Sequence, residues 1–169
     1  VVHAALVRSP VAHATIAGID VSRALALPGV LGAFASTDLG AIGARQFGSY
    51  TKDQYVLARG KVRYEGEPVV AVLAEDRSTA ERAARLVEVE YLERDVVVDV
   101  QAAAAPGAPL VHDEAPPLGR QGKWRALPGT NICAQVVIEE GDAAAGFQAA
   151  DVVLERTYTF PPVFHYTLE

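Results

Sequence analysis

The chain has 169 residues, 50% of them hydrophobic and 21% charged, which is the composition of one folded domain with a real core. Its formal net charge of −6 argues against nucleic acid as a partner, because phosphate binding needs clustered Lys and Arg. The longest apolar run, about Val69 to Ala74, is far too short to cross a bilayer, and the first residues lack the basic start and apolar stretch of a signal peptide.

In chain order, Val2 to Val7 alternates and is rich in β-formers, so it reads as a strand ended by Arg8-Ser9-Pro10. A second strand follows from His13 to Ile19. Asp20 then caps a short helix, Val21 to Leu27, that Pro28-Gly29 stops. Val30 to Ala35 is a third strand. From Ser36 to Tyr55 the pattern dissolves into a glycine-rich loop with one helical turn after Ser36. Val62 to Tyr64 and Pro68 to Ala74 read as two strands around the turn Glu65-Gly66-Glu67. The second is apolar on both faces and so is expected at the centre of a sheet.

Ser78 and Glu81 have capping-box spacing, and Ala80, Ala83, Ala84 and Val87 then share one helical face, with Glu81 and Arg85 paired on the wet side. Beyond Leu86 the period changes. Val87, Val89 and Tyr91 alternate with Glu88 and Glu90, as in a strand with one solvated face, and Val96 to Val100 continues in extended form. Residues 101–130 hold five prolines and read as an extended Pro/Gly/Ala-rich connector lying on a neighbour. Ile132 to Glu140 reads as a strand, Asp142 caps a helix from Ala143 to Ala149, and Val152 to Phe160 reads as a long last strand. The fold class is therefore α+β, with mixed β-sheet strands and three short helices. The organisation expected is a core over 1–100, a connector over 101–130 and a strand–helix–strand over 131–169. With Val1 in place of a methionine, no Met anywhere and an abrupt end at Glu169, the chain reads as a piece of something longer.

Several chemistries have no support. Gly40, Gly43 and Gly48 are wrongly spaced for a phosphate cradle, and no nucleophile-elbow or zinc-helix motif occurs. His3, His13, His112 and His165 are scattered, so no metal site is expected. Cys133 reads as a small buried hydrophobe in a strand, and a single cysteine rules out an internal disulfide or cysteine cluster. Glu88, Glu90 and Glu93 read as a solvated face. Arg63, Glu65 and Glu67 around Gly66 read as a polar hairpin turn, the alternative being a charged site in an independent hydrolase.

Ordered strings along the chain carry a resemblance. Arg8-Ser9-Pro10-x-Ala12-His13-Ala14 with Ile19-Asp20 comes first, then Ala24-x4-Gly29-Val30 with Thr37-Asp38. Val56-Leu57-Ala58 follows, then Val62-Arg63-Tyr64-x-Gly66-Glu67-Pro68-Val69, then Ala80-x2-Ala83-Ala84-x-Leu86-Val87. Gly141-Asp142, Phe147, Ala150-Asp151 and His165-x2-Leu168-Glu169 complete the set. Together they resemble the N-terminal α/β hammerhead domain of the molybdopterin-binding large subunit of the xanthine dehydrogenase/aldehyde oxidase family of molybdenum hydroxylases. Leu168 stands where that family has Met.

The resemblance implies a parent oxidoreductase that hydroxylates an aldehyde or N-heterocycle with oxygen from water. It would use molybdopterin with molybdenum, iron–sulfur clusters and FAD. The pterin contacts and the catalytic glutamate would lie downstream of Glu169, so no catalytic residue, metal ligand or cofactor is expected in this chain. The partners implied are the remaining molybdopterin-binding domains and the iron–sulfur and flavin subunits, with no membrane partner and a cytoplasmic setting. By position, the loop Ala41 to Tyr55 would lie near the substrate funnel. Gln46, Phe47 and Tyr50 are its candidates, unless they tuck into the domain core. Arg8, His13, His165 and Glu169 are interface candidates, with fixing the N-terminal turn as the structural alternative for Arg8 and His13. The competing reading of the whole chain is a free-standing small-ligand module that uses the 41–55 loop.

Overall fold

A computed structural model describes residues 1–48, 52–113, 127–138 and 140–161. It divides into a unit spanning Val1–Val136 and a second spanning Val137–Glu169. The first unit contains two three-stranded sheets. One has the order β1 (His3–Arg8), β7 (Pro68–Ala74), β3 (Val30–Ala35). The other has the order β6 (Lys61–Val62), β2 (Ala14–Asp20), β8 (Glu88–Glu93). These pairings are all antiparallel. The α+β class read from the sequence is thus the class observed.

Strand β7 is central because it must be. Val69 and Val70 are adjacent, so they point to opposite faces, and both are fully buried. Val72 and Ala74 extend the apolar stripe. Ala14 of β2, Val62 of β6, Ala24 of helix α1 (Ser22–Leu25) and Ala83 of helix α3 (Arg77–Ala84) join the same core. It is built from Val and Ala rather than large aromatics. Each fully buried Val contributes about 1.5–3 kcal/mol, so the core depends on close fit more than on bulk. Strand β8 alternates as its sequence demands: Val89 and Tyr91 turn inward, while Glu88, Glu90 and Glu93 are exposed. Glu88 meets Arg23 at 2.7 Å on that wet side.

Several local expectations are corrected. Strand β6 does not form a hairpin with β7; it pairs with β2, with Ala14 opposite Val62. The chain between them therefore passes from one sheet to the other. Helix α3 is capped by Asp76, whose carboxylate accepts from the Thr79 backbone N–H at 2.9 Å and from Thr79 Oγ1 at 2.7 Å. Ser78 lies inside the helix, and Glu81 pairs back to Arg77 at 2.7 Å instead of forward to Arg85. An Asp N-cap two residues earlier outcompetes the Ser because a carboxylate also suits the positive helix terminus.

The connector begins with a helical turn, α4 (Val100–Ala104), because Asp99 accepts from the Ala102 N–H at 2.7 Å and alanine is the best helix former. The stretches expected as strands at 132–140 and 152–160 form no ladder among the described residues beyond a lone bridge at Gln135. Cys133 is exposed, not buried. In the second unit, helix α5 (Ala143–Ala149) is capped by Asp142, as the sequence indicates.

Candidate functional site

The segment that the sequence leaves as loop is partly ordered. Ser36–Leu39 is a 3-10 turn and α2 (Gly40–Gly43) follows it. Ser36 Oγ donates to the Gly43 carbonyl at 2.8 Å and closes the two together. A small hairpin comes next, β4 (Gln46–Phe47) against β5 (Gln54–Tyr55), with Gln46 opposite Tyr55 and Phe47 opposite Gln54. Beneath it lies a cavity of about 310 Å³, walled by Phe47, Tyr55 and Tyr64 and reached by Arg63, Glu67 and His112.

The floor is an ion pair. Arg63 and Glu67 each keep only 6% of their side-chain surface exposed. The Arg63 backbone N–H donates to Glu67 Oε2 at 2.6 Å, while the guanidinium Nη1 stands 3.4 Å from Oε1 and 3.2 Å from the Lys61 carbonyl. The guanidinium also sits over the Tyr55 ring, 5.1 Å from its centroid. Burial pushes the Glu67 carboxyl above its ordinary value, and the backbone and guanidinium contacts of Arg63 only partly offset this. Gly66, at φ +91°, makes the tight turn that folds Glu67 back over Arg63. The turn is tied to the N-terminal strand as well. Ser9 N–H donates to the Glu67 carbonyl, Gly66 N–H to the Ser9 carbonyl, and Arg8 Nη1 to the Gly66 carbonyl at 2.8 Å. At the hairpin's other side His112 Nε2 lies 3.9 Å from Asp53.

Of the residues singled out from sequence, Phe47 lines this cavity and is 47% exposed, so it does not tuck into the core. Gln46 is its half-buried neighbour on β4. Tyr50, His165 and Glu169 lie outside the described residues. Arg8 serves the turn just described. His13 does not line the hairpin cavity; it borders a groove with Arg94, Leu110 and Asp113. Its Nδ1 donates to the Asp95 carbonyl at 2.7 Å, because a carbonyl only accepts. Nearby, the buried Lys61 ties down residues 110–113 through the Leu110 carbonyl at 3.2 Å and Asp113 at 3.0 Å.

The polar turn expected at 63–67 is half right. Glu65 is exposed, but Arg63 and Glu67 form a buried pair that the sequence reading misses. The available signal was a Glu immediately before Pro68 and four residues after an Arg, across a glycine. Among the described residues no three His, Cys, Asp or Glu side chains gather where a metal ion could sit, and no helix is long and apolar enough to cross a membrane.

Residues 1–95 match the family model described as aldehyde oxidase and xanthine dehydrogenase, a/b hammerhead domain. A probable xanthine dehydrogenase subunit of Bacillus subtilis is 32% identical over 97% of this chain and 20% of its own length. The carbon monoxide dehydrogenase large chain of Afipia carboxidovorans is 34% identical over 96% of this chain and 20% of its own. Among solved structures, the aldehyde oxidoreductase of Desulfovibrio gigas superposes with a TM-score of 0.67 at 29% identity, covering 89% of this chain and 16% of that one. The chain thus spans about a fifth of the length of these curated relatives.

Proposed function

We propose that this chain, which belongs to the aldehyde oxidase and xanthine dehydrogenase a/b hammerhead domain family, is a non-catalytic domain of a molybdenum hydroxylase large subunit. Its part is to cover the cofactor-bearing remainder of that subunit and to line the way to the reacting centre with the β4–β5 hairpin. The parent activity would be water-dependent hydroxylation of an aldehyde or N-heterocycle in a cytoplasmic enzyme, with electrons leaving through iron–sulfur and flavin partners.

The observation that carries this reading is exposed apolar surface. In the second unit Val152, Leu154, Tyr158 and Phe160 are each at least 74% exposed and recur at every second position except Arg156, giving one apolar face of an extended segment. An apolar face that joins no sheet among the described residues needs another body to cover it. Membership in the family supports the rest of the large subunit as that body. The Phe47 wall of the hairpin cavity supports the access role in the same way: aromatic side chains on a small hairpin suit contact with flat molecules.

The described residues do not fit a molybdenum or iron–sulfur centre. Their carboxylates and imidazoles do not converge, and the one cysteine, Cys133, is exposed. No chemical step is therefore assigned to this chain. Purified alone, it should carry no molybdenum by elemental analysis and show no turnover. Supplied in trans to a large subunit that lacks it, it should restore activity. Stoichiometric molybdenum on the isolated chain would overturn this division of labour.

A further inference from the structure

The hairpin over the cavity has only two residues in each strand, too little pairing to hold a fixed position by itself. It must be held from outside. One external hold is visible at its Tyr55 end: the guanidinium of Arg63, stacked 5.1 Å from the ring centroid. Arg63 is itself immobilised. Its backbone is clamped by Glu67 Oε2 at 2.6 Å, its Nη1 by the Lys61 carbonyl, and the whole turn by Ser9 and Arg8. The planar guanidinium therefore presents a fixed face, and an arginine can stack on a ring in a way that lysine cannot.

We propose that Arg63 is a positioning residue for the site. It fixes the Tyr55 wall, and with it the β4–β5 hairpin and Phe47, relative to the rigid β6–β7 turn, so that the passage keeps one shape. Nothing in this requires Arg63 to touch a substrate; it acts through Tyr55. The inference rests on the hairpin lining the passage, and two separable measurements test the two claims.

In the full chain, hydrogen exchange is followed at the amides of 46–47 and 54–55, with those of β7 as the internal standard. Arg63→Met should speed exchange in the hairpin roughly ten- to thirtyfold beyond any change in β7, which reports the global stability lost with the ion pair. Tyr55→Leu leaves the buried pair in place and should do the same, so the test survives if the Arg63 variant folds poorly. Arg63→Lys should resemble Arg63→Met. Hairpin exchange unchanged in both Arg63→Met and Tyr55→Leu, or loosened only together with β7, would overturn the proposal. In a large subunit reassembled with these variants, a raised KM at unchanged kcat supports both claims. Loosened exchange with unchanged KM supports the positioning role and removes the hairpin from the substrate's path.

Discussion

Replacing Glu67 separates two roles that a buried carboxylate usually confounds. It accepts the Arg63 backbone N–H at 2.6 Å, and it faces the guanidinium at 3.4 Å. The short contact is the stronger one, and burial has already pushed the carboxyl's pKa upward, so desolvation outweighs the charge attraction. Glu67→Gln keeps an acceptor for the backbone N–H and removes the desolvated charge. The guanidinium that remains still has the Lys61 carbonyl and the Tyr55 ring. The expected cost is under about 1 kcal/mol. Glu67→Ala strands a buried N–H, at about 1–3 kcal/mol, and loses side-chain packing as well. Its total should reach roughly 2–4 kcal/mol, a fall in Tm of about 5–12 °C for a chain of this size. Arg63→Met leaves the carboxylate buried without its cation, so its cost should shrink as pH is lowered from 7 to 5, because burial already favours the protonated carboxyl. Urea and thermal melts of the three variants at both pH values read this directly. Equal losses for Glu67→Gln and Glu67→Ala would show that the charge pair, not the backbone acceptor, governs the turn, and the reasoning would fail.

Gly43→Ala should destabilise the chain by at least about 2 kcal/mol, because a Cβ there would lie 1.8 Å from the Ser36 carbonyl oxygen, a backbone atom with no easy retreat. A thermal melt within a degree of wild type would refute that close approach. Acid should weaken the fold through Asp76 and Asp113, whose carboxyls are held below their ordinary range by hydrogen bonds from Thr79 and Lys61 respectively. A depressed carboxylate contributes stability above its unfolded pKa and loses it as pH falls through the folded one. Glu67 is raised and works in the opposite sense, its contribution lost as pH rises. Glu67→Gln should therefore make the fall in urea midpoint between pH 7 and pH 3 steeper than in the wild type, and an equal slope would count against the raised carboxyl.

Much of the fold is legible residue by residue. β7 is central because two adjacent valines can both be buried only with something on each face. β8 is amphipathic because its period is two. Asp142 caps because a small acceptor precedes an alanine-rich run. What failed was partner choice. Val62 looks like half of a hairpin with β7, yet it pairs with β2, because pairing across sheets depends on which edges the rest of the chain leaves open. Val152 to Phe160 has the composition of a strand, but a ladder needs a second strand, and none is present for it among the described residues. Composition can specify a strand's faces and cannot supply its neighbour.

The candidate site divides the same way. The amino-acid sequence alone determined the α+β class, the ordered family strings and the presence of Phe47 in a glycine-rich stretch. Tertiary structure alone decided that Arg63 and Glu67 are buried, that Tyr55 lies on the guanidinium, and that Phe47 opens onto a cavity of about 310 Å³. Sequence spacing reports what a residue can do within its own turn or strand. Burial, pKa and cavity shape come from segments far apart in the chain, here residues 8–9, 47–55, 61–67 and 112, and only the fold brings those together.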